Sequence, residues 1–488
     1  MVSKRRNLYF KIGLTILKPA LVFVLLQSCL YVYAQDVISL PSNITLVEGD
    51  TYRLDTFKAN TSFYVRNKRI VNCNKNGIIT ANKKGKTVLI VKDHNKKQQV
   101  KINVKQKRKT ESVGSFPILA WYSLQDDVSH EKYIELADAG FNLSFSEATD
   151  SIVPLMKTAI QSAKGTGVKL LIPFRGFWIN VKPIVEYFKK QENVWGWYII
   201  DEPSLEDLPK VKRFVNNITE YDREHPFYVN LLPSHANSTL LGTNSYEEYI
   251  NSFIDSLRPS VVSFDNYPFK NSGLRNNYYS NLGLIAHYSQ QYNIPFWAFA
   301  CSVKYSESVP IPKLEHIKFE VFCSLAYGAQ GIEYFTYTTP RKEHGGDHFS
   351  YAPIDVNQNK TDTYYYIKEV NFRIRSIESY ILGAKPLYVG SLGANSLEGV
   401  ELYKSNNYPP GIKSIKTTNT LLASWIQNDQ SSIFMLVNTD VTKPAFINIK
   451  YDDSISKLSN DGQIVSVSPI EELPPGDMIV YVVSGFKE

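Results

Sequence analysis

A (β/α)8 barrel flanked by two β-rich regions is the architecture that this 488-residue sequence predicts. Two observations carry it. From residue 116 onward, strand-like apolar runs alternate with helix-like stretches eight times, as a closed parallel barrel requires. On either side, in 36–105 and 386–488, the helical period is lost and short alternating strands are separated by Gly, Asn, Asp and Pro turns.

The eight strand candidates are 116–124 (FPILAWYSL), 141–148 (FNLSFSEA), 169–176 (KLLIPFRG), 194–201 (VWGWYIID), 226–233 (PFYVNLLP), 260–269 (SVVSFDNYPF), 295–303 (PFWAFACSV) and 331–340 (GIEYFTYTTP). Stretches such as HEKYIELADAG, VPLMKTAIQSAKGTG, EEYINSFIDSLR and KFEVFCSLAYGAQG lie between them, several ending in Gly as helix C-termini do. A doubly wound sheet also alternates but seldom reaches eight units. No glycine-rich phosphate loop follows any strand, which argues against nucleotide binding.

The segment 36–105 alternates apolar and polar residues in VISLPSNITLVEGDTYRLD, NGIITANKKGKTVLIVK and KQQVKINVK, and shows no catalytic constellation. These stretches resemble a bacterial Ig-like group 2 domain, a family of spacers and adhesion modules. The resemblance implies an Ig-like β-sandwich on the N-terminal side of the barrel. The polar stretch 106–115 reads as a linker, 116–385 as the barrel, and 386–488, with LLASWIQND, SSIFMLVNTD, AFINIKY and DMIVYVVS, as a C-terminal β-sandwich.

Residues 1–34 read as a targeting signal. Lys4, Arg5, Arg6, Lys11 and Lys18 precede about fifteen apolar residues, too few for a good membrane span, and Val32-Tyr33-Ala34 offers a cleavage site. The alternative is Leu26-Gln27-Ser28-Cys29, which resembles a lipobox and would leave a lipid anchor at Cys29; an uncleaved anchor is the third reading. Export to the periplasm or cell surface is the expectation, with no membrane span in the mature chain. The leader holds five cations and no acids, so its removal lowers the net charge of +7 to +2 and takes away the main support for nucleic-acid binding. Cys73, Cys301 and Cys323 remain, an odd set with no CxxC pair, which is neither a disulfide framework nor a zinc site; Cys301 and Cys323 read as two buried thiols.

Barrels of this kind build their sites at the C-terminal ends of the strands. Those ends carry Tyr122, Gln125, Asp126 and Asp127; Glu147; Arg175 and Trp178; Asp201 and Glu202; Asn230, Ser234 and His235; Asp265, Asn266 and Tyr267; Cys301 and Ser302; and Tyr337, Arg341, His344 and His348. Acids and aromatics with almost no metal-ligand spacing point to carboxylate chemistry on a sugar. A carbohydrate substrate and no cofactor or metal follow from that; the sequence carries no signal for an oligomeric state.

VWGWYIIDEPS resembles the strand-4 motif of clan A-type glycoside hydrolases, in which a Glu acid/base closes the fourth strand. SLAYGAQGIEYFTYTTP and KTDTYYYIKEVNFRI are similar to segments of family-42-type β-galactosidases and their relatives. The resemblance spans most of 116–385 and implies that Glu202 is the proton donor, its pKa raised by burial and by Asp201. If the strand stays extended at this point, the two side chains face opposite ways. Asp201 occupies the place of the clan's usual Asn. The alternative for this acidic cluster is a helix N-terminus. Strand 7 departs from the clan because it has no nucleophile Glu. Asp265 is the leading substitute as second catalytic carboxylate, ahead of Glu147 and Glu333. Glu147, Arg175, Trp178, Trp197, Tyr267, Tyr337 and His344 are expected to bind substrate together with Asp201; Trp121 is a further candidate platform. A non-catalytic glycan-binding or surface-display protein on a degenerate barrel is the rival reading, and a lyase using Tyr, His and Arg a weaker one.

Overall fold

The computed structural model describes residues 40–47, 51–54, 61–93, 96–105, 115–125, 127–146, 152–174, 181–341 and 348–484. Eight parallel strands close into a barrel: β1 (Ile118–Trp121), β2 (Leu143–Phe145), β3 (Lys169–Pro173), β4 (Val194–Asp201), β5 (Phe227–Leu231), β6 (Val262–Phe264), β7 (Phe296–Cys301) and β8 (Ile332–Phe335). Neighbours follow chain order, and β8 closes the ring on β1 with Phe335 opposite Trp121. Each strand lies within one of the segments read from the sequence.

Among the described residues eight helices of two turns or more alternate with these strands, besides the single turn Ser238–Leu241: α1 (His130–Asp138), α2 (Ile152–Ala163), α3 (Val181–Phe188), α4 (Leu208–Thr219), α5 (Tyr246–Leu257), α6 (Tyr278–Tyr292), α7 (Leu314–Ala326) and α8 (Asp362–Ile381). The apolar spacing explains the packing. In α4, Val211, Phe214, Val215 and Ile218 recur at three- and four-residue intervals and are the buried face. The barrel has two apolar layers. Leu119, Trp121, Phe145, Leu171, Tyr198, Tyr228, Trp297 and Phe299 cluster inside the ring of strands. Ile118, Ile172, Trp197, Ile199, Phe264 and Tyr334 pack outward with the helices. Burying one such side chain contributes about 1.5–3 kcal/mol. The glycine of Trp195-Gly196-Trp197 has a steric reason: a Cβ there would collide with the carbonyl oxygen of Pro226, which accepts the Trp197 amide at 2.9 Å.

The β-rich flanks form three sheets. Four strands of the N-terminal region, including Gly85–Asp93 and Lys96–Lys105, make one sheet. Ile412–Thr417, Ala445–Tyr451 and Ile470–Leu473 make another. The third has nine strands and joins the two ends of the chain: Thr51–Arg53 runs parallel to Ile464–Val465, with Tyr52 opposite Ile464. This sheet also covers α7, so that helix is buried nearly all round, and Lys318 on it pairs with Asp477 at 2.9 Å. Among the described residues no helix is long and apolar enough to cross a membrane.

Candidate active site

The C-terminal end of β4 carries the feature around which the site is built. Asp201 is the last residue of the strand, and the Glu202 amide still donates to the carbonyl of Asn230 on β5 at 3.0 Å. Glu202 then adopts a left-handed backbone conformation, φ +44°. A non-glycine residue in that region is sterically disfavoured and persists only where its surroundings enforce it. Part of that enforcement comes from α5, where the Tyr249 hydroxyl donates to the Pro203 carbonyl at 2.8 Å and accepts from the Leu232 amide at 3.1 Å. Tyr122, just beyond β1, shares the left-handed conformation at φ +46°.

The left-handed residue brings both acids to one place, and the expectation of opposite faces fails for that reason. Asn230 donates through Nδ2 to Asp201 Oδ1 and to Asp265 Oδ1, each at 3.0 Å. The carboxyl of Asp265, which follows β6, is hydrogen-bonded to that of Glu202. Three carboxyl groups from two strand ends thus converge. They do not serve as helix caps: Ser204 and Asp207 cap the turn that follows, with Ser204 donating to Asp207 Oδ2 through its amide at 3.1 Å and its hydroxyl at 2.8 Å.

The electrostatics follow from this crowding. Burial, then the negative charges of Glu202 and Asp201, push Asp265 well above the usual carboxylate range. Glu202 is exposed as a residue, but its carboxyl is partly shielded where it meets Asp265; that shielding raises its pKa, against the Asp265 hydrogen bond, which lowers it. Two carboxyls in contact cannot both ionise cheaply, so the pair retains a proton and titrates as a unit. Glu202 and Asp201 are exposed and Asp265 is half-buried, so Glu202 is the member of the pair that faces a ligand.

Beneath the acids lies a second layer. Glu333 on β8 is fully buried, and burial pushes its pKa up to about 8. Tyr228 donates to Glu333 Oε2 and Ser263 donates through Oγ to Glu333 Oε1 at 2.7 Å; Ser263 Oγ also stands 2.6 Å from the Tyr228 hydroxyl and 2.9 Å from Asn230 Oδ1, and Asn230 donates to Asp201 and Asp265. The folded state holds the Glu333 proton more tightly than the unfolded chain, so this contribution to stability is full below pH 4.5 and fades as pH rises through about 8. Glu333→Gln is expected to remove that fall. Denaturant titrations of the two proteins at pH 5 and pH 9 should diverge by a few kcal/mol, on the order set by the shift.

The remaining expected site residues divide. Tyr267 stands beside Asp265, half-buried, its ring stacked on Phe335 at 5.4 Å and 5.6 Å from that of Tyr305. Trp197 is not at the mouth. It is fully buried in the outer layer, its indole N–H donating to Asp222 Oδ2 at 2.9 Å and its ring edge-on to Phe188. Trp197→Ala is expected to cost about 3–5 kcal/mol, read by chemical denaturation, because it empties a core site and removes the partner of a buried carboxylate. Tyr337 is also a fully buried core residue, edge-on to Phe141 at 5.4 Å, and presents no ring face to solvent. Trp121 packs inside the barrel against Phe145. Glu147, Arg175, Trp178 and His344 lie outside the described residues. Among the described residues no group of three or more His, Cys, Asp or Glu side chains is placed to hold a metal ion.

Asn230 is one of the strand-end polar residues of the sequence, but without an assigned role; Ser263 and Tyr228, inside their strands, carry no signal. Tyr305, in the loop after β7, carries no such signal.

Fold and site together define a closed (β/α)8 barrel with a carboxyl cluster at its C-terminal mouth. No protein-family profile and no curated protein matches the chain. Solved structures do. A glycoside hydrolase is similar at 11% identity over 76% of this chain and 93% of that one, with a TM-score of 0.49. A glycoside hydrolase family 5 protein from Bacteroides vulgatus is similar at 13% identity over 76% and 90%, TM-score 0.48. The β-galactosidase from the psychrophilic Marinomonas ef1 is similar at 10% identity, TM-score 0.42; the match takes in 54% of this chain and 60% of that one.

Proposed function

We propose that the chain is a glycoside hydrolase in which Glu202 delivers a proton to the glycosidic oxygen. The observation that carries this reading is the Glu202–Asp265 carboxyl pair, hydrogen-bonded and sharing a proton at the open end of the barrel. Hydrogen-bonded carboxyls lie closer than the roughly 5–5.5 Å of a retaining pair or the 6.5–9.5 Å of an inverting one. In this reading Asp265 is therefore a positioning residue that shares a proton with Glu202 rather than the opposing nucleophile.

In the reaction, the shared proton passes through Glu202 to the leaving oxygen as the anomeric carbon–oxygen bond breaks. Asp201, exposed and oriented by Asn230, faces the positive charge that develops on the sugar. Water adds its oxygen to the anomeric carbon, and the proton it loses restores the pair. Tyr267 is the platform nearest the acids. Glu147, Arg175, Trp178 and His344 complete the proposed substrate-binding set on sequence grounds. We also hold to export through residues 1–34, to an Ig-like N-terminal region and to a likeness with family-42-type enzymes, all on sequence motifs. The test is to incubate the full chain with a panel of neutral and acidic glycans and follow product anomers by proton NMR. New reducing ends of one initial anomer are expected. A Glu202→Gln variant as active as the parent on a cleaved glycan would contradict the assignment.

A further inference from the structure

The loop after β6 carries Asp265 at its start and two cations further on. A short hairpin, Phe269–Lys270 against Gly273–Leu274, folds the loop back. It is held in place: the Asn271 amide donates to Ser308 O at 2.9 Å, Phe269 stacks on His316 at 4.2 Å, and Arg275 donates through its amide to Pro268 O at 2.8 Å and through Nε to Tyr267 O at 3.1 Å. Lys270 Nζ donates to the Tyr305 hydroxyl at 3.1 Å. His235, from the loop after β5, lies close enough to feel the charge of both cations.

This cluster is uncompensated. Among the described residues neither Lys270 nor Arg275 pairs with a carboxylate, whereas the neighbouring Lys304 pairs with Glu307 at 2.8 Å and Lys318 with Asp477. Lys270 is half-buried, and burial and Arg275 lower its pKa; burial and the same two cations lower His235 to about 4. The largest charges acting on Asp265 are those of Glu202 and Asp201. Tyr305 spans the two centres, since Arg275 and Asp265 both act on its hydroxyl, and its ring lies against Tyr267. Lys270 on the Tyr305 hydroxyl, Tyr305 against Tyr267 and Arg275 on the Tyr267 carbonyl link two half-buried cations through one tyrosine pair beside the acids, which suits an anionic group on a bound sugar.

We propose that Lys270 and Arg275, with His235 and Tyr305, form an anion subsite, so that the glycan hydrolysed carries a carboxylate or sulfate on a unit bound beside the Glu202–Asp265 pair. This rests on the hydrolase reading for its catalytic meaning, but not for its binding test. Full-length protein is titrated calorimetrically with glucuronic acid, glucose 6-sulfate and glucose, as parent and as K270Q/R275Q. At least one anionic sugar should bind about tenfold or more tighter than glucose, and the double variant should lose that preference. Which anionic sugar binds separates a uronic acid from a sulfate ester. Equal binding of all three sugars by the parent overturns the proposal, and so does a preference that survives in the folded double variant. If the double variant does not fold, the parent's preference must shrink between 0.05 and 0.5 M NaCl, roughly the range over which screening becomes strong; a salt-independent preference overturns the subsite. Cleavage of neutral glycans without anion preference would leave the hydrolase standing and remove the subsite. Anion preference with no glycan cleaved would do the reverse.

Discussion

Glu202→Gln is expected to lower kcat/KM by roughly 10²–10⁴-fold, the range contributed by a positioned general acid. Glutamine keeps the length of the side chain and its hydrogen bond to Asp265, but it has no proton to give. The left-handed backbone at 202 is enforced by the Asn230 carbonyl and by the Tyr249 clamp on Pro203, neither of which the substitution touches. Thermal stability should therefore stay close to the parent's, and KM should change less than kcat. Steady-state kinetics with a melting curve on the same sample check both.

Asp265→Asn should act through pH. Asp265 places a carboxyl against Glu202 and makes the pair share a proton. The amide carries no charge and still donates to the Glu202 carboxylate, so the strongly raised proton-binding step of the pair, which lies on Asp265, is lost and only Glu202, raised by burial, titrates. The alkaline limb of the rate profile should move to lower pH by about one unit or more, with kcat at neutral pH falling by roughly tenfold to a hundredfold. Stability should move the other way. Asp265 binds its proton more tightly in the folded chain, so the parent loses stability as pH rises through the raised value. The Asn variant lacks that loss and should become relatively more stable than the parent above neutral pH, while the two converge in acid. A structural role alone would move stability without moving the rate profile.

Much of this scaffold was legible. Eight apolar runs with helical stretches between them favour a closed barrel over a doubly wound sheet, which seldom reaches eight units, and Asp201 and Glu202 stand where the fourth run ends. What was not legible has physical causes. The shared facing of the two acids comes from one backbone torsion at Glu202, which leaves no trace in residue periodicity. In β4 every residue from Gly196 to Ile199 is buried, so no alternation of polar and apolar positions distinguishes Trp197, facing the helices, from Tyr198, facing the barrel interior. Tyr337 reads as a strand-end aromatic, yet it packs into the layer beside Phe141. The joining of Thr51–Arg53 to Ile464–Val465 pairs segments some four hundred residues apart, beyond any local signal. The Asn230–Ser263–Glu333 network needs three strands in register before it exists.

The most direct measurement uses aryl glycosides of a sugar that the protein cleaves, with phenol leaving groups spanning several pKa units, on the parent and on Glu202→Gln. A leaving group such as 2,4-dinitrophenolate departs without protonation, so the variant should retain most of the parent's activity on it and fall progressively further behind as the phenol becomes more basic. An equal loss across the whole series would contradict Glu202 as the group that delivers the proton.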